Sequence, residues 1–312
     1  MIIANAIPEC PTQLHLEITD TCNLGCGFCP VHRMKRGPAL SPDKWISVIK
    51  QTGSFRESVG YIDFVNYNEP LLCKHIWLYA TSVSMTLGPG KLGFVTNGTI
   101  MSEDIACRIA SMTPKQVVFS VDAFTAETYS RVRPLASGEE DLGLRDRVYA
   151  NIDTYLKAME RLGLRHPPVI QMTVCDANHH EVNAFRDYWS KKDVATVLTL
   201  NCTGRGGERS YGTPNNNPCS AILDGLWVLS DGQVVACCED WNATDAVGNV
   251  LESSLMEIWN GDKIKRFREL HLSGRKCDIR VCKACHTSQD RQAHNVYPDA
   301  TNPEVLRELG LS

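Results

Sequence analysis

From residue 13 to residue 200, short apolar runs alternate with longer amphipathic stretches, the rhythm of βα units built round a parallel sheet. Leu14-His15-Leu16-Glu17-Ile18 alternates apolar with polar and reads as a first strand. Runs at 61–65, 91–95, 116–121, 169–174 and 194–200 are the expected second to sixth. Ser41-Pro42 offers an N-cap followed by a first-turn proline, opening a helix through Trp45, Ile46 and Ile49. A second helix is expected at 76–85 before a Gly-Pro-Gly turn, and a long one at 144–162 stopped by Gly163. Six strands with helical segments between them predict a partial (β/α)6 barrel in an α/β chain, filling residues 1–200.

The periodicity lapses over residues 201–217, a Gly- and Asn-rich stretch expected to be a linker. Its Arg205 and Arg209 are either solvated or within reach of an anionic or hydroxylated substrate. Residues 218–312 then form a second unit. Two β-like runs flank the turn containing Asp231-Gly232, a strong hairpin signal, and short and long helices follow at 254–260 and 263–272. Around them stand Cys219, Cys237, Cys238, Cys277 and a C-x2-C pair, Cys282 and Cys285. So small a unit needs a metal staple in place of a large core. The spacing alone leaves zinc and iron–sulfur both open.

Composition narrows the function class. At 312 residues the chain can bury a full core, and a net charge of −4 gives no attraction to nucleic acid. The N-terminus lacks a signal-peptide pattern, and no stretch approaches the ~18–20 apolar residues of a membrane span. A cytoplasmic protein is therefore expected. Fourteen cysteines in a reducing compartment point to metal or redox chemistry rather than disulfides.

The densest chemistry lies just past the first strand, where Cys22, Cys26 and Cys29 form a C-x3-C-x2-C array. Three thiolates are one ligand short of a [4Fe–4S] cube and leave one iron open. This spacing, with aromatic Phe28 before the third cysteine, resembles the radical S-adenosylmethionine (SAM) superfamily. The resemblance implies that the open iron chelates the amino and carboxylate groups of SAM, whose reductive cleavage gives a 5′-deoxyadenosyl radical. It also implies a partial barrel, in agreement with the strand pattern. Parallel α/β folds put their chemistry at the C-terminal strand ends, and polar groups stand there: Asn66-Tyr67-Asn68-Glu69-Pro70, Thr96-Asn97-Gly98 and Ser120-Val121-Asp122. By resemblance, Glu69 and Asn68 serve the SAM amino group, Asn97, Ser120 and Asp122 its ribose side, Arg133 its carboxylate, and Phe28 flanks the cofactor. The first of these segments departs from the family's Gly-Gly-Glu and has the Asn-Glu-Pro form of the branch carrying auxiliary clusters.

The second cysteine set resembles the SPASM/twitch extension of that branch, with Gly248-Asn249-Val250 and Ser254-Leu255-Met256-Glu257-Ile258-Trp259 between its cysteines. On the twitch pattern one auxiliary [4Fe–4S] cluster is held by Cys219, Cys237, Cys282 and Cys285. Cys238 and Cys277 fall outside the run expected of a second auxiliary cluster, and Cys10, Cys73, Cys107, Cys175 and Cys202 read as small core residues or bystanders. The arrangement is most similar to dehydrogenases of aminoglycoside antibiotic biosynthesis. That similarity implies hydrogen abstraction from a carbinol of a sugar-like or aminocyclitol-like substrate, with the auxiliary cluster accepting the remaining electron. A reductant such as flavodoxin or ferredoxin is implied as partner. Epimerisation is the alternative, with the thiol of Cys238 returning a hydrogen atom. Peptide maturation is a third; only 21 residues precede Cys22, which leaves no room for a peptide-recognition domain. An iron–sulfur or zinc-stabilised binding protein is the non-enzymatic reading.

Overall fold

A computed structural model describes residues 7–194, 196–201, 216, 218–283 and 285. In chain order the barrel part contains β1 (Gln13–Leu16), α1 (Pro42–Gln51), β2 (Tyr61–Phe64), α2 (Ile76–Leu87), β3 (Leu92–Thr96), α3 (Glu103–Ser111), β4 (Gln116–Ser120), α4 (Ala126–Val132), α5 (Leu144–Arg161), β5 (Val169–Val174), α6 (Val182–Trp189) and β6 (Thr196–Asn201). The C-terminal part adds α7 (Ala221–Asp224), β7 (Gly225–Val228), β8 (Gln233–Val235), β9 (Gly248–Asn249), α8 (Leu255–Trp259) and α9 (Asp262–Leu272). Strands β1 to β6 pair in sequence order, all parallel, so each strand lies beside the next in the chain. Because parallel crossovers are right-handed as a rule, this sequential order stacks the intervening helices on one face, which is how a sheet curls toward a barrel.

Local chemistry sets the element ends as expected. Ser41 Oγ accepts the Lys44 N–H at the start of α1 (3.4 Å), with Pro42 in the first turn. Gly163, at φ +64°, follows the C-terminus of α5 in the left-handed conformation that glycine adopts at no steric cost. Two helices, α4 and α5, separate β4 from β5, where the strand pattern needed only one.

The strand faces divide cleanly. Leu14 and Leu16 of β1, Ile62 and Phe64 of β2, and Leu92 and Phe94 of β3 share one buried core with Trp45, Val48, Ala80, Val83 and Ile109 of the helices. Because side chains alternate along a strand, His15 and Asp63 point to the opposite, inner face. There they pair through His15 Nδ1 and Asp63 Oδ1 at 2.7 Å, with the His15 ring stacked 4.3 Å from Trp227. At β1 and β2 the inner face carries this polar pair, and the strands lead from it toward the cysteine loop.

The C-terminal unit is not detached. Strand β7 pairs parallel with β1, from Gln13 opposite Gly225 to Leu16 opposite Val228, and β8 and β9 continue antiparallel, giving one nine-stranded sheet ordered β6-β5-β4-β3-β2-β1-β7-β8-β9. An edge strand exposes unpaired backbone groups, and the hairpin covers those of β1. Leu226, Val228, Val234, Ala236, Trp259 and Ile264 accordingly belong to the same core as the barrel. Pairing with a partner some two hundred residues away leaves no local trace, which is why the hairpin signal revealed only its own two strands. Gly248 is required where α8 rests on β9, since a Cβ there would stand 2.7 Å from Ile258 Cγ1.

Candidate active site

The cysteine loop leaves β1 and is strapped to the segment after α4. Leu24 bridges Leu135, Gly25 N–H donates to Pro134 O (2.8 Å), and Ala136 N–H donates to Asn23 O (2.9 Å). From the other side His32 Nε2 donates to Leu24 O at 2.8 Å. These bonds hold Cys22, Cys26 and Cys29 close enough to influence one another's titration. Burial pushes the Cys26 thiol up to about 12; Arg133 opposes that rise, while Cys29 and Cys22 add to it. The Leu24 N–H points at Cys22 Sγ, 3.4 Å away. Three gathered thiols with a backbone donor and a guanidinium beside them form a donor set suited to a thiolate-bound cluster.

Glu69 ends the loop after β2 and is 1% exposed. Its carboxylate accepts from Thr96 Oγ1 (2.8 Å), Asn97 N (2.7 Å) and Leu71 N (3.1 Å), and its own N–H donates to Thr21 O (2.9 Å). Burial raises its pKa, against those hydrogen bonds. Asn97, expected near the ribose, also braces the loop: its Nδ2 donates to Asn23 Oδ1 (2.9 Å) and lies 3.8 Å from Cys22 Sγ, while its Oδ1 accepts from Thr99 Oγ1 (2.6 Å). Asn68 differs from its neighbours, because both ends of its amide are buried without a hydrogen-bond partner among the described residues. A buried amide left unpaired costs stability, so its polar ends are open to a partner beyond the described residues.

Asp122 and Arg133, expected as separate cofactor contacts, are paired. Arg133 Nε and Nη2 reach Asp122 Oδ2 at 2.7 and 2.6 Å, and Asp122 Oδ1 accepts Thr173 N–H at 2.6 Å. Asp122 sits at φ +64°, a backbone conformation unusual for a residue with a side chain. Burial works against the Arg133 charge, but Asp122, Cys26 and Tyr129 together outweigh it and hold the guanidinium above its ordinary value. Ser120 ends β4, half-buried, and its hydroxyl makes no hydrogen bond among the described residues. Phe28 is 8% exposed and packs into the core shared with Cys26.

In the second cysteine set, Cys219 and Cys285 lie near Cys282. Burial raises the Cys282 thiol, and the nearby Cys285 and Cys219 thiols raise it further. Cys237 follows β8, with Glu239 N–H donating to its Sγ at 3.5 Å. His271 of α9 lies between two of the four, its Nδ1 3.2 Å from Cys219 N and its Nε2 3.5 Å from Cys282 Sγ. Cys238 packs against the small cluster of Cys219, Ala221, Trp227, Leu229 and Val235, and its carbonyl accepts from Tyr67 Oη at 2.6 Å. Cys277 N–H donates to Asn216 Oδ1 (3.1 Å). Cys10 and Cys73 are buried and Cys175 is half-buried, while Cys107 meets Arg161; Cys202, Arg205 and Arg209 lie outside the described residues.

A hub just past the end of β1 ties the two sets together, and the sequence pattern did not reveal it. Glu17, fully buried, accepts from Arg36 Nε (2.8 Å) and Nη2 (3.1 Å), Asn66 Nδ2 (2.7 Å) and Ser230 Oγ (3.2 Å). Arg36 Nη1 goes on to donate to Trp241 O (2.6 Å), and Gly37 N–H donates to Asp231 Oδ2 (3.0 Å). One carboxylate thus joins the barrel, the segment after the cysteines, the loop carrying Glu69 and the C-terminal hairpin. The available signal was an acidic residue at the inward position of a strand that leads straight into the cysteine loop.

A partial barrel with three thiols at one strand end and a cysteine-bearing hairpin at its edge defines an iron–sulfur enzyme class, and family comparison gives its identity. Residues 16–177 match the radical SAM superfamily, and residues 219–286 match an iron-sulfur cluster-binding domain, SPASM. The chain belongs to the radical SAM superfamily. Its cofactors are SAM with its [4Fe–4S] cluster and, in the C-terminal domain, an auxiliary cluster; the gathered thiols and the unpaired Asn68 amide fit them.

Among curated relatives, S-adenosyl-L-methionine-dependent 2-deoxy-scyllo-inosamine dehydrogenase of Niallia circulans is 22% identical over 285 residues, covering 88% of this chain and 92% of the relative. Tungsten-containing aldehyde ferredoxin oxidoreductase cofactor-modifying protein of Pyrococcus furiosus is 23% identical, covering 82% of each chain. Among solved structures, BtrN in complex with AdoMet and 2-DOIA superposes with TM-score 0.62 at 20% identity, over 89% of this chain and 94% of that one. Streptococcus suis SuiB bound to precursor peptide SuiA gives 0.67 at 14% identity, over 96% and 76%. At such identities the superpositions establish the fold, and they do not choose between small-molecule and peptide substrates. No helix among the described residues is long and apolar enough to cross a membrane.

Proposed function

We propose that this radical SAM enzyme oxidises a carbinol of a small polar substrate, of the sugar or aminocyclitol class, to a ketone. The observation that carries the reading is the direct seam between the two cysteine sets: Tyr67, two residues before Glu69, hydrogen-bonds the Cys238 carbonyl at 2.6 Å. When bound, SAM and its cluster would supply hydrogen-atom abstraction at the carbinol carbon, and an auxiliary cluster would supply a one-electron acceptor once the hydroxyl proton has departed. The chain's own residues do the positioning. Cys22, Cys26 and Cys29 hold the first cluster and leave one iron for SAM. Glu69 and Asn68 face the SAM amino group, Arg133 its carboxylate with Asp122 fixing the guanidinium plane, and Ser120 its ribose. Phe28 and Asn97 stiffen the loop around them. Cys219, Cys237, Cys282 and Cys285 hold the second cluster, and four thiolates leave it no open iron, which suits electron transfer. The near end-to-end similarity to a 2-deoxy-scyllo-inosamine dehydrogenase supports both the reaction type and the substrate class. A flavodoxin or ferredoxin would deliver the first electron.

Anaerobically reconstituted enzyme, incubated with SAM, reductant and a panel of aminocyclitols including 2-deoxy-scyllo-inosamine, should release 5′-deoxyadenosine and ketone in equal amounts. SAM cleavage that yields only a stereoisomer of the substrate would replace this reading with epimerisation. The variant Cys238→Ala separates the two: a dehydrogenase keeps making ketone, whereas an epimerase using that thiol loses solvent hydrogen at the inverted carbon.

A further inference from the structure

Helix α9 carries a histidine that none of the roles above uses. His271 is 1% exposed and shares the buried face of α9 with Ile264 and Arg268. Its two ring nitrogens meet different partners. The Cys219 backbone N–H points at Nδ1 across 3.2 Å, and Cys282 Sγ lies 3.5 Å from Nε2. A backbone N–H can only donate, so Nδ1 must be the bare, accepting nitrogen. The single ring proton of the neutral imidazole is therefore on Nε2, aimed at sulfur. One residue thus grips a cysteine at each end of the C-terminal set, through the backbone of Cys219 and the sulfur of Cys282, which are 63 residues apart in the chain (282 − 219). Lys276, whose side chain is fully buried, adds a positive charge within electrostatic reach of both Cys282 and His271.

We propose that His271 is a positioning residue of the auxiliary cluster: it fixes the Cys219 and Cys282 ligands relative to each other and donates an Nε2–H···S hydrogen bond that raises the cluster's reduction potential. Hydrogen bonds to cluster sulfurs and nearby positive charge favour the reduced, more negative cluster. An acceptor of a substrate electron gains from both. The inference rests on the iron–sulfur domain of the chain and is independent of which carbinol is oxidised.

The test compares full-length protein carrying both clusters as wild type, His271→Gln and His271→Phe. Glutamine keeps an acceptor for Cys219 N–H and a donor for Cys282 at similar separation, whereas phenylalanine keeps only the ring. Redox titration followed by EPR should find the auxiliary midpoint shifted to more negative potential in H271F and restored toward wild type in H271Q. Pulsed EPR of protein labelled with 15N-histidine should find a histidine nitrogen coupled to the reduced auxiliary cluster in wild type, and that coupling lost in H271Q. A wild-type midpoint in cluster-replete H271F overturns the proposal. If H271F fails to hold the cluster, the wild-type and H271Q spectra decide, and a histidine coupling that is absent or survives in H271Q overturns it. Either failure leaves ketone formation by wild type untouched, and absence of ketone with a shifted midpoint would instead sink the proposed reaction.

Discussion

Single residues around the radical cluster fall into those already satisfied by the polypeptide and those left waiting. Asn68 waits, both amide ends being buried without a partner. Because Asn68→Ala removes no hydrogen bond the protein makes, urea unfolding should leave stability nearly unchanged. SAM affinity should fall on the order of tenfold, the value of about one lost hydrogen bond of 1–1.5 kcal/mol. Equilibrium binding of SAM to the cluster-loaded variant measures it. Asp122 is the opposite case. Asp122→Ala strands the buried guanidinium of Arg133 without its counter-charge, and the loss should be about 3–5 kcal/mol, read by denaturant unfolding. The identities of both residues were legible in the sequence, from their places just past strand ends. Their difference was not, since whether a side chain is paired depends on what the fold brings opposite: here Arg133 beside Asp122, and no hydrogen-bond partner among the described residues for Asn68.

At the scale of elements, strands and helices of the barrel were readable because each carries its own period and its own stop signal, as in Ser41-Pro42 and Gly163. The hairpin of β7 and β8 was equally readable from the turn containing Asp231-Gly232. Its parallel partner β1 was not, because cross-chain register leaves no local pattern. The same limit hid Gly248: its place beside Asn249 looked like a family signature, and the contact with Ile258 supplies the reason. Gly248→Ala should push α8 away from β9 and cost roughly 1–3 kcal/mol, the usual range for overpacking, with a drop in Tm and in iron retained by the C-terminal domain on gel filtration. Unchanged iron and Tm would show that α8 does not bear on that strand.

Across the molecule, Glu17 is where the two clusters' surroundings meet. Its carboxylate joins Arg36, Asn66 and Ser230 from three separate parts of the chain, and Arg36 extends the link to Trp241. Glu17→Ala leaves Arg36 unpaired in the interior and should cost about 3–5 kcal/mol. It should also loosen the C-terminal hairpin, seen as faster amide exchange in 225–235 than in the strands of the far edge. Equal exchange at both edges would remove Glu17 from this role. The C-terminal unit, expected after a linker, thereby shares the sheet and the Glu17 hydrogen bonds with the barrel, and the proposed reaction places its cysteines within reach of a substrate electron.

That placement is tested most directly in a single anaerobic turnover with an aminocyclitol deuterated at the reacting carbinol, followed by freeze-quench EPR. One deuterium should appear in 5′-deoxyadenosine for each ketone formed, with reduced auxiliary cluster appearing in the same amount. Deuterium transfer accompanied by inverted alcohol, with the auxiliary cluster still oxidised, would contradict it.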